Sequence, residues 1–147
     1  MFRHQGKGRT FRHNLQIAIV LSLVAGIVNV AGFLALNQLT TNVTGHFALF
    51  IQDVADFKVW QGLVYFAYIA SFFLGSFLSG FLIEKFRETK RLNVYVLPIS
   101  IESGVLALVA GGAHFQFLTD ADLMACLLLF AMGLQNSYVT KISNTIV

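Results

Sequence analysis

Glu102 is the most chemically capable residue within an otherwise apolar stretch of this sequence. It lies about ten residues from either end of that stretch, near mid-bilayer for a helix that crosses a membrane. An ionised carboxylate there is costly unless it is paired, so the side chain must be protonated, hydrogen-bonded or facing water. Two interpretations follow: a proton or cation site, and a neutral acid that hydrogen-bonds a neighbouring helix.

Three amide side chains occur in similarly apolar surroundings. Asn29 lies in the first apolar run, and the adjacent Gln135 and Asn136 lie in the last one. Amides within membrane helices commonly hydrogen-bond across helices, which stabilises the pair by about 0.6 to 2 kcal/mol. Interhelical hydrogen bonding is therefore the simpler interpretation, and coordination of a substrate or an ion is the other.

The segment from Gln38 to Asp56 joins a polar run to an apolar run that is too short to span a bilayer. Thr44, followed by Gly45, is a candidate N-cap for a short helix over residues 44–55. Such a helix either lies in the membrane interface or re-enters the membrane with its N–H groups pointing towards an anion. The candidate substrate-binding residues are Asn29, Thr44, Gly45, Glu102, Gln135 and Asn136.

Four long apolar segments must position these residues. Hydrophobic residues make up 56% of the chain and charged residues only 12%, whereas roughly 25% charge is typical of a soluble domain. Each segment can cross about 30 Å of hydrocarbon as a helix, and unbroken apolar runs exclude a β-barrel. The sequence therefore predicts an all-α, polytopic transmembrane helix bundle. The predicted spans cover residues 17–36, 60–83, 92–113 and 123–140.

Lysine and arginine predict the orientation of these spans. Nine of the ten fall on one side of the membrane when the segments are successive crossings. The positive-inside rule then places both chain termini in the cytoplasm, with residues 1–14 as a basic cytoplasmic segment and residues 15–147 as the transmembrane domain. The opposite side carries one lysine and four aspartates: Lys58, Asp53, Asp56, Asp120 and Asp122.

Several function classes find no support in the sequence. The basic residues cluster beside apolar runs rather than along one face, so we expect no nucleic-acid partner. The single cysteine, Cys126, gives neither a disulfide framework nor a metal-binding spacing. There is no HExxH or GxSxG motif, so we predict no catalytic residues, no cofactor and no enzymatic activity.

One internal correspondence suggests a repeat. The segment Ala25–Asn29 resembles the segment Met132–Asn136, with glycine and asparagine at matching positions. Because the first span runs outward and the fourth runs inward, the match fits an inverted repeat of three helices each, as in secondary transporters. The four spans would then belong to a six-helix fold.

Two stretches carry a resemblance to a known family. The run AGIVNVAGFLALNQLTTNVTGHFALF from residue 25 and the final GLQNSYVTKISNTIV resemble the YoaK-type family of bacterial membrane proteins of unknown function. The resemblance extends over essentially the whole chain after the basic N-terminus. It implies a six-helix protein of the bacterial inner (plasma) membrane, with the last two helices outside this sequence. Asn29 stands where members usually have Asp, and His46 where they usually have Asn.

These observations lead to two functional hypotheses. The first is a small-solute transporter or permease, in which the candidate residues line the route of a small molecule or an ion. The second is a non-transporting scaffold or assembly subunit whose small-residue stripes, such as Ala67, Ser71, Gly75 and Ser79, bind partner helices. The expected partners are the lipid bilayer and, through such stripes, further copies of the chain in a homo-oligomer.

Overall fold

The computed structural model describes residues 11–86 and 94–142, with side chains from residue 15 onward. Within these residues the chain forms five helices and no strands, and four of the helices are long and apolar enough to cross a membrane. The predicted all-α bundle with four spans is therefore confirmed. The helices are α1 (Phe11–Leu36), α2 (Val43–Ala55), α3 (Val59–Lys85), α4 (Val96–His114) and α5 (Ala121–Ile142).

The third span begins later than the sequence predicts. We expected it from residue 92, but α4 starts at Val96, and residues 87–93 lie outside the described part of the chain. Pro98 consequently lies in the first turn of α4, where a backbone N–H has no intrahelical partner to lose. Pro98 therefore does not interrupt the span.

Helix α5 is the centre of the bundle and contacts α1, α3 and α4. In its most apolar stretch 61% of the residues are buried, against 17% in α1. This difference arises because α5 is covered by three neighbours, while most of α1 faces outward. The packing of α5 therefore decides how the other spans are placed.

Helices α3 and α5 run parallel and approach each other closely through two glycines. A Cβ atom added to Gly75 would lie 2.1 Å from the carbonyl oxygen of Phe130, and one added to Gly133 would lie 2.1 Å from that of Phe72. Only residues without a Cβ permit this separation of the two backbones. The small-residue stripe predicted on α3 thus forms a helix contact at Gly75 and the buried Ser79.

Helices α1 and α4 both run antiparallel to α5. Near one end of the bundle Ile17 of α1 packs with Val139 of α5, and near the other end Val28 packs against the cluster containing Leu128. Helix α4 also runs opposite to α5, since Glu102 contacts Tyr138 and the later Val109 clusters with the earlier Leu128. The four spans therefore alternate in direction, as successive membrane crossings require.

The connection from α1 to α2 folds back into the bundle. The backbone N–H of Thr41 donates to Oδ1 of Asn29 at 3.1 Å, and Asn29 lies seven residues before the end of α1 at Leu36. At 1.5 Å per residue, the loop descends about 10 Å along α1. Gly32 makes room for it, since a Cβ there would lie 2.6 Å from the side chain of Thr40.

Helix α2 starts at this inner position and returns along α3. The ring of His46, in its first turn, lies 6.0 Å from that of Tyr65 and 5.1 Å from that of Tyr68. Near its other end Val54 contacts Gly62 in the first turn of α3. Helix α2 therefore packs along the first half of α3, and its position in the membrane interface or within the membrane stays a prediction.

Asn42, not Thr44, is the N-cap of α2. Its Oδ1 accepts a hydrogen bond from the N–H of Gly45 at 3.0 Å. A Cβ at Gly45 would lie 2.4 Å from the Asn42 side chain, so the glycine leaves room for the cap. The predicted N-cap is therefore wrong by two positions, because the side chain of Asn42 already caps the N–H of the third residue of the helix.

Candidate functional site

A polar cavity lies between α1 and α5, at the point where the returning loop meets them. Its volume is about 150 Å³, and its polar atoms come from Ser22, Thr41, Gln135 and Asn136. Ser22 is the eighth residue of the 22-residue apolar stretch of α1, so the cavity lies within the spans, in the half of the bundle that holds the start of α1. None of the residues that line it carries an ionisable side chain. The apolar part of its wall consists of Leu21, Ala25, Phe72, Met132 and Val139.

Gln135 is the most unusual residue of the cavity. Its side chain is only 3% exposed, and its Nε2 donates to the carbonyl oxygen of Leu21 at 2.6 Å. A carbonyl oxygen can only accept, so this contact fixes which end of the amide faces Leu21. The other end, Oε1, is buried and has no hydrogen-bond partner among the described residues. A buried acceptor without a donor costs about 1 to 3 kcal/mol, and such groups in native proteins are few.

Asn29 acts on the cavity indirectly. Its amide oxygen holds the backbone of Thr41, and Thr41 rather than Asn29 lines the cavity. In the structure its side chain anchors the loop that contributes one wall of the cavity. A direct contact between Asn29 and a substrate stays a prediction.

Thr44 and Gly45 lie in the first turn of α2 and do not line the cavity. The N–H of Gly45 is bonded to Asn42, and the N–H of Thr41 is bonded to Asn29. These two donors near the start of the helix are therefore already paired with amide oxygens of the protein. Binding of an anion at the N-terminus of the helix stays a prediction.

Glu102 is buried and accepts a hydrogen bond from the hydroxyl of Tyr138 on α5. It does not line the cavity, but Tyr138 lies one helical turn from Gln135 on the same helix. Glu102 thus makes the interhelical hydrogen bond of the second interpretation given above. Its contact fixes α4 against the helix that carries the two cavity amides.

The structure brings Gln135 and Asn136, two of the predicted site residues, into the wall of one cavity together with the hydroxyls of Ser22 and Thr41, which the sequence does not single out. A signal was present for α5, since Met132, Gln135 and Asn136 share one face at spacings of three and four. Nothing in the sequence indicated that the loop would return to that face.

A second polar cluster joins α2, α3 and α5. His46 is 3% exposed, and its Nε2 lies 2.7 Å from the carbonyl oxygen of Leu39. Its ring packs on Tyr68, whose hydroxyl donates to Oδ1 of Asp122 at 2.5 Å. The cluster therefore ties the first turn of α2 to the first turn of α5 and stabilises the returning segment.

The two segments of the suggested repeat have different surroundings. A Cβ at Gly133 would meet α3, whereas nothing lies within 4 Å of a Cβ at Gly26. Asn136 lines the cavity, whereas Asn29 anchors a loop. The inverted repeat therefore stays a prediction.

An apolar groove of about 450 Å³ lies on the other flank of α1, between α1 and α4. Its walls combine large aliphatic side chains with several small ones, and none of its lining residues is polar. The cavity and the groove therefore give the two flanks of α1 opposite character. The small residues of the groove are Ala31, Gly32, Ala35, Ala110 and Ala113.

Comparison with known families adds one finding. The family model described as "Protein of unknown function (DUF1275)" matches residues 17–147. The chain belongs to this family. The match includes both stretches that carry the resemblance and confirms that resemblance at the level of the family. No curated protein and no solved structure matches the chain.

The chain is thus an integral membrane protein with four candidate spans, and membership of its family assigns no activity. A protein of this kind contacts the lipid bilayer along its apolar faces.

Proposed function

We propose that the protein is a small-solute transporter or permease and that the cavity between α1 and α5 is its solute-binding site. The observation that carries the proposal is Gln135, which lies buried within a membrane span, lines the cavity and has an acceptor without a partner among the described residues. Small-molecule sites are typically concave and mostly apolar, with a few converging polar groups. The hydroxyls of Ser22 and Thr41 and the amide of Asn136 supply those groups.

The returning loop supports the same proposal. Irregular backbone at membrane depth is tolerated where it is buried in protein or lines a cavity, and transporters place their sites at such breaks. Here the loop before α2 reaches the level of Asn29 and contributes Thr41 to the cavity wall. The broken segment and the polar wall therefore coincide.

In this proposal the candidate residues have distinct roles. Gln135 and Asn136 contact the solute, and Asn29 positions Thr41. Glu102 acts through Tyr138 and positions α5. Thr44 and Gly45 support the start of α2 through the cap at Asn42. No covalent reaction is catalysed.

Charge supports an orientation in the bacterial inner membrane. Lys85 and Lys141 lie in the last turns of α3 and α5, at the end of the bundle where the N-terminal part of α1 also lies. The opposite end carries Asp120 and Asp122. The positive-inside rule places the lysine end, and with it the N-terminus, in the cytoplasm.

The test is solute flux by the full-length protein in proteoliposomes. A panel of radiolabelled amino acids, sugars, polyols and inorganic ions is offered to the wild type, to Gln135→Leu and to the matched control Gln61→Leu. Gln61 is exposed in the first turn of α3, away from the cavity. We expect flux of at least one solute that Gln135→Leu loses and Gln61→Leu keeps. Equal flux in all three variants contradicts the proposed site.

The rival function, a scaffold or assembly subunit, is favoured by the apolar groove between α1 and α4. Its small residues would let a partner helix approach closely. Crosslinking in native membranes, followed by purification and mass spectrometry, tests this function. A stoichiometric partner that is lost in Ala110→Phe, together with no flux of any solute, would favour the scaffold.

A further inference from the structure

The charge of the cavity wall limits what the site can hold. None of the residues that line the cavity is acidic or basic. A buried ion is costly without a partner of opposite charge or a full set of polar ligands. At the start of α2 the N–H group of Gly45 is bonded to Asn42, and in the preceding loop that of Thr41 is bonded to Asn29, so neither of these two donors is free for an anion.

The orientation of the Gln135 side chain further limits which solutes the site can bind. Its Nε2 is engaged by the carbonyl oxygen of Leu21, so the group that remains is the acceptor Oε1. An acceptor is satisfied by an N–H or O–H donor. The hydroxyls of Ser22 and Thr41 can donate or accept, so they accommodate a second polar group of the same solute.

The volume of the cavity sets the scale of the solute. A volume of about 150 Å³ is small for a ligand site and indicates a compact solute. Phe72 and Met132 give the cavity an apolar part beside its polar groups. The space therefore suits a compact molecule with one polar edge or end.

Resting on the proposed transport function, we infer that the solute is a small uncharged molecule that donates a hydrogen bond to Oε1 of Gln135, in the class of ureas, short amides and polyols. Oε1 of Gln135 needs a hydrogen-bond donor, and the hydroxyls of Ser22 and Thr41 can bind a second polar group. Because the wall carries no charged residue, the site should favour this class over inorganic ions and carboxylates.

The experiment compares neutral and ionic probes on the same proteoliposomes of the full-length protein. Urea and glycerol permeabilities are measured by stopped-flow light scattering, and radiolabelled sodium and chloride uptake is measured in parallel. We expect urea or glycerol permeability well above that of protein-free liposomes, with sodium and chloride at background. Gln135→Leu should lower the permeability by about two- to tenfold, the factor for one hydrogen bond.

Two further variants keep the result interpretable where Gln135→Leu folds poorly. Ala25→Phe fills the cavity and leaves the bond between Gln135 and Leu21 in place, so it should abolish the neutral flux. Gln61→Leu should leave it unchanged. Flux of sodium or chloride without urea or glycerol flux overturns the neutral-solute inference and leaves transport standing. No flux of any of the four probes contradicts the neutral-solute inference, whereas the transport function is contradicted only when the wider panel of solutes also gives no flux.

Discussion

Asn29 accepts a hydrogen bond from the backbone N–H of Thr41 at 3.1 Å, which joins the middle of α1 to the loop before α2. Through this contact an amide within a membrane span holds irregular backbone against the helix, about 10 Å from the helix end. The same loop contributes Thr41 to the cavity that Gln135 lines from the other side. The geometry of the cavity therefore depends on an asparagine that does not line it.

Replacing Asn29 should show how much its hydrogen bond to Thr41 contributes to stability. Asn29→Leu removes the acceptor for Thr41 and should lower the free energy of unfolding by about 1 kcal/mol. Asn29→Asp keeps an oxygen at the same place and should restore the contact. Thermal unfolding of the three proteins in one detergent measures the difference. Identical melting temperatures for the wild type and the leucine variant would show that the loop is held by something else.

The glycines of α5 and α1 should respond differently to alanine. Gly133→Ala puts a Cβ against the backbone of Phe72, so α3 and α5 must move apart, at about 2 to 3 kcal/mol. Gly26→Ala meets open space and should leave stability unchanged or raise it by about 1 kcal/mol through helix propensity. SDS-induced unfolding followed by circular dichroism compares them. An equal loss of stability at both positions would contradict the open space found around Gly26 and would favour equivalent packing of the two segments.

The contact between Glu102 and Tyr138 can be tested with a double-mutant cycle. Glu102→Leu leaves the tyrosine hydroxyl buried without its acceptor and should cost about 1 to 3 kcal/mol. Adding Tyr138→Phe removes the unpaired hydroxyl and should recover part of that loss. Glu102→Gln keeps an acceptor and serves as the conservative control. Strictly additive losses in the unfolding free energies would mean that the two side chains are not coupled.

The orientation predicts which lysine positions are accessible from outside the cell. In a Cys126→Ala background, Lys58→Cys should react with a membrane-impermeant maleimide on intact cells, because it lies between α2 and α3 at the outer end. Lys141→Cys should react only after the membrane is permeabilised. Labelling of both positions from the same side would contradict the four-span topology.

The helices were predictable because apolar length alone decides a membrane span, and α1, α3 and α5 end within a few residues of the expected bounds. The intramembrane amide Gln135 was also recognisable as a candidate. Its unpaired oxygen was not, because its orientation depends on the carbonyl of Leu21, which is 114 residues away in the chain. Thr41 was missed for the same kind of reason, since its position depends on a long-range bond to Asn29.

The most direct test of the account is an experimental structure of the full-length protein in lipid nanodiscs at a resolution that shows ordered small molecules. We predict density in the cavity between α1 and α5, within hydrogen-bond distance of Oε1 of Gln135, in the presence of a transported solute. A cavity closed by its own side chains, with Oε1 bonded to a protein donor, would contradict the proposal that this cavity is the solute-binding site.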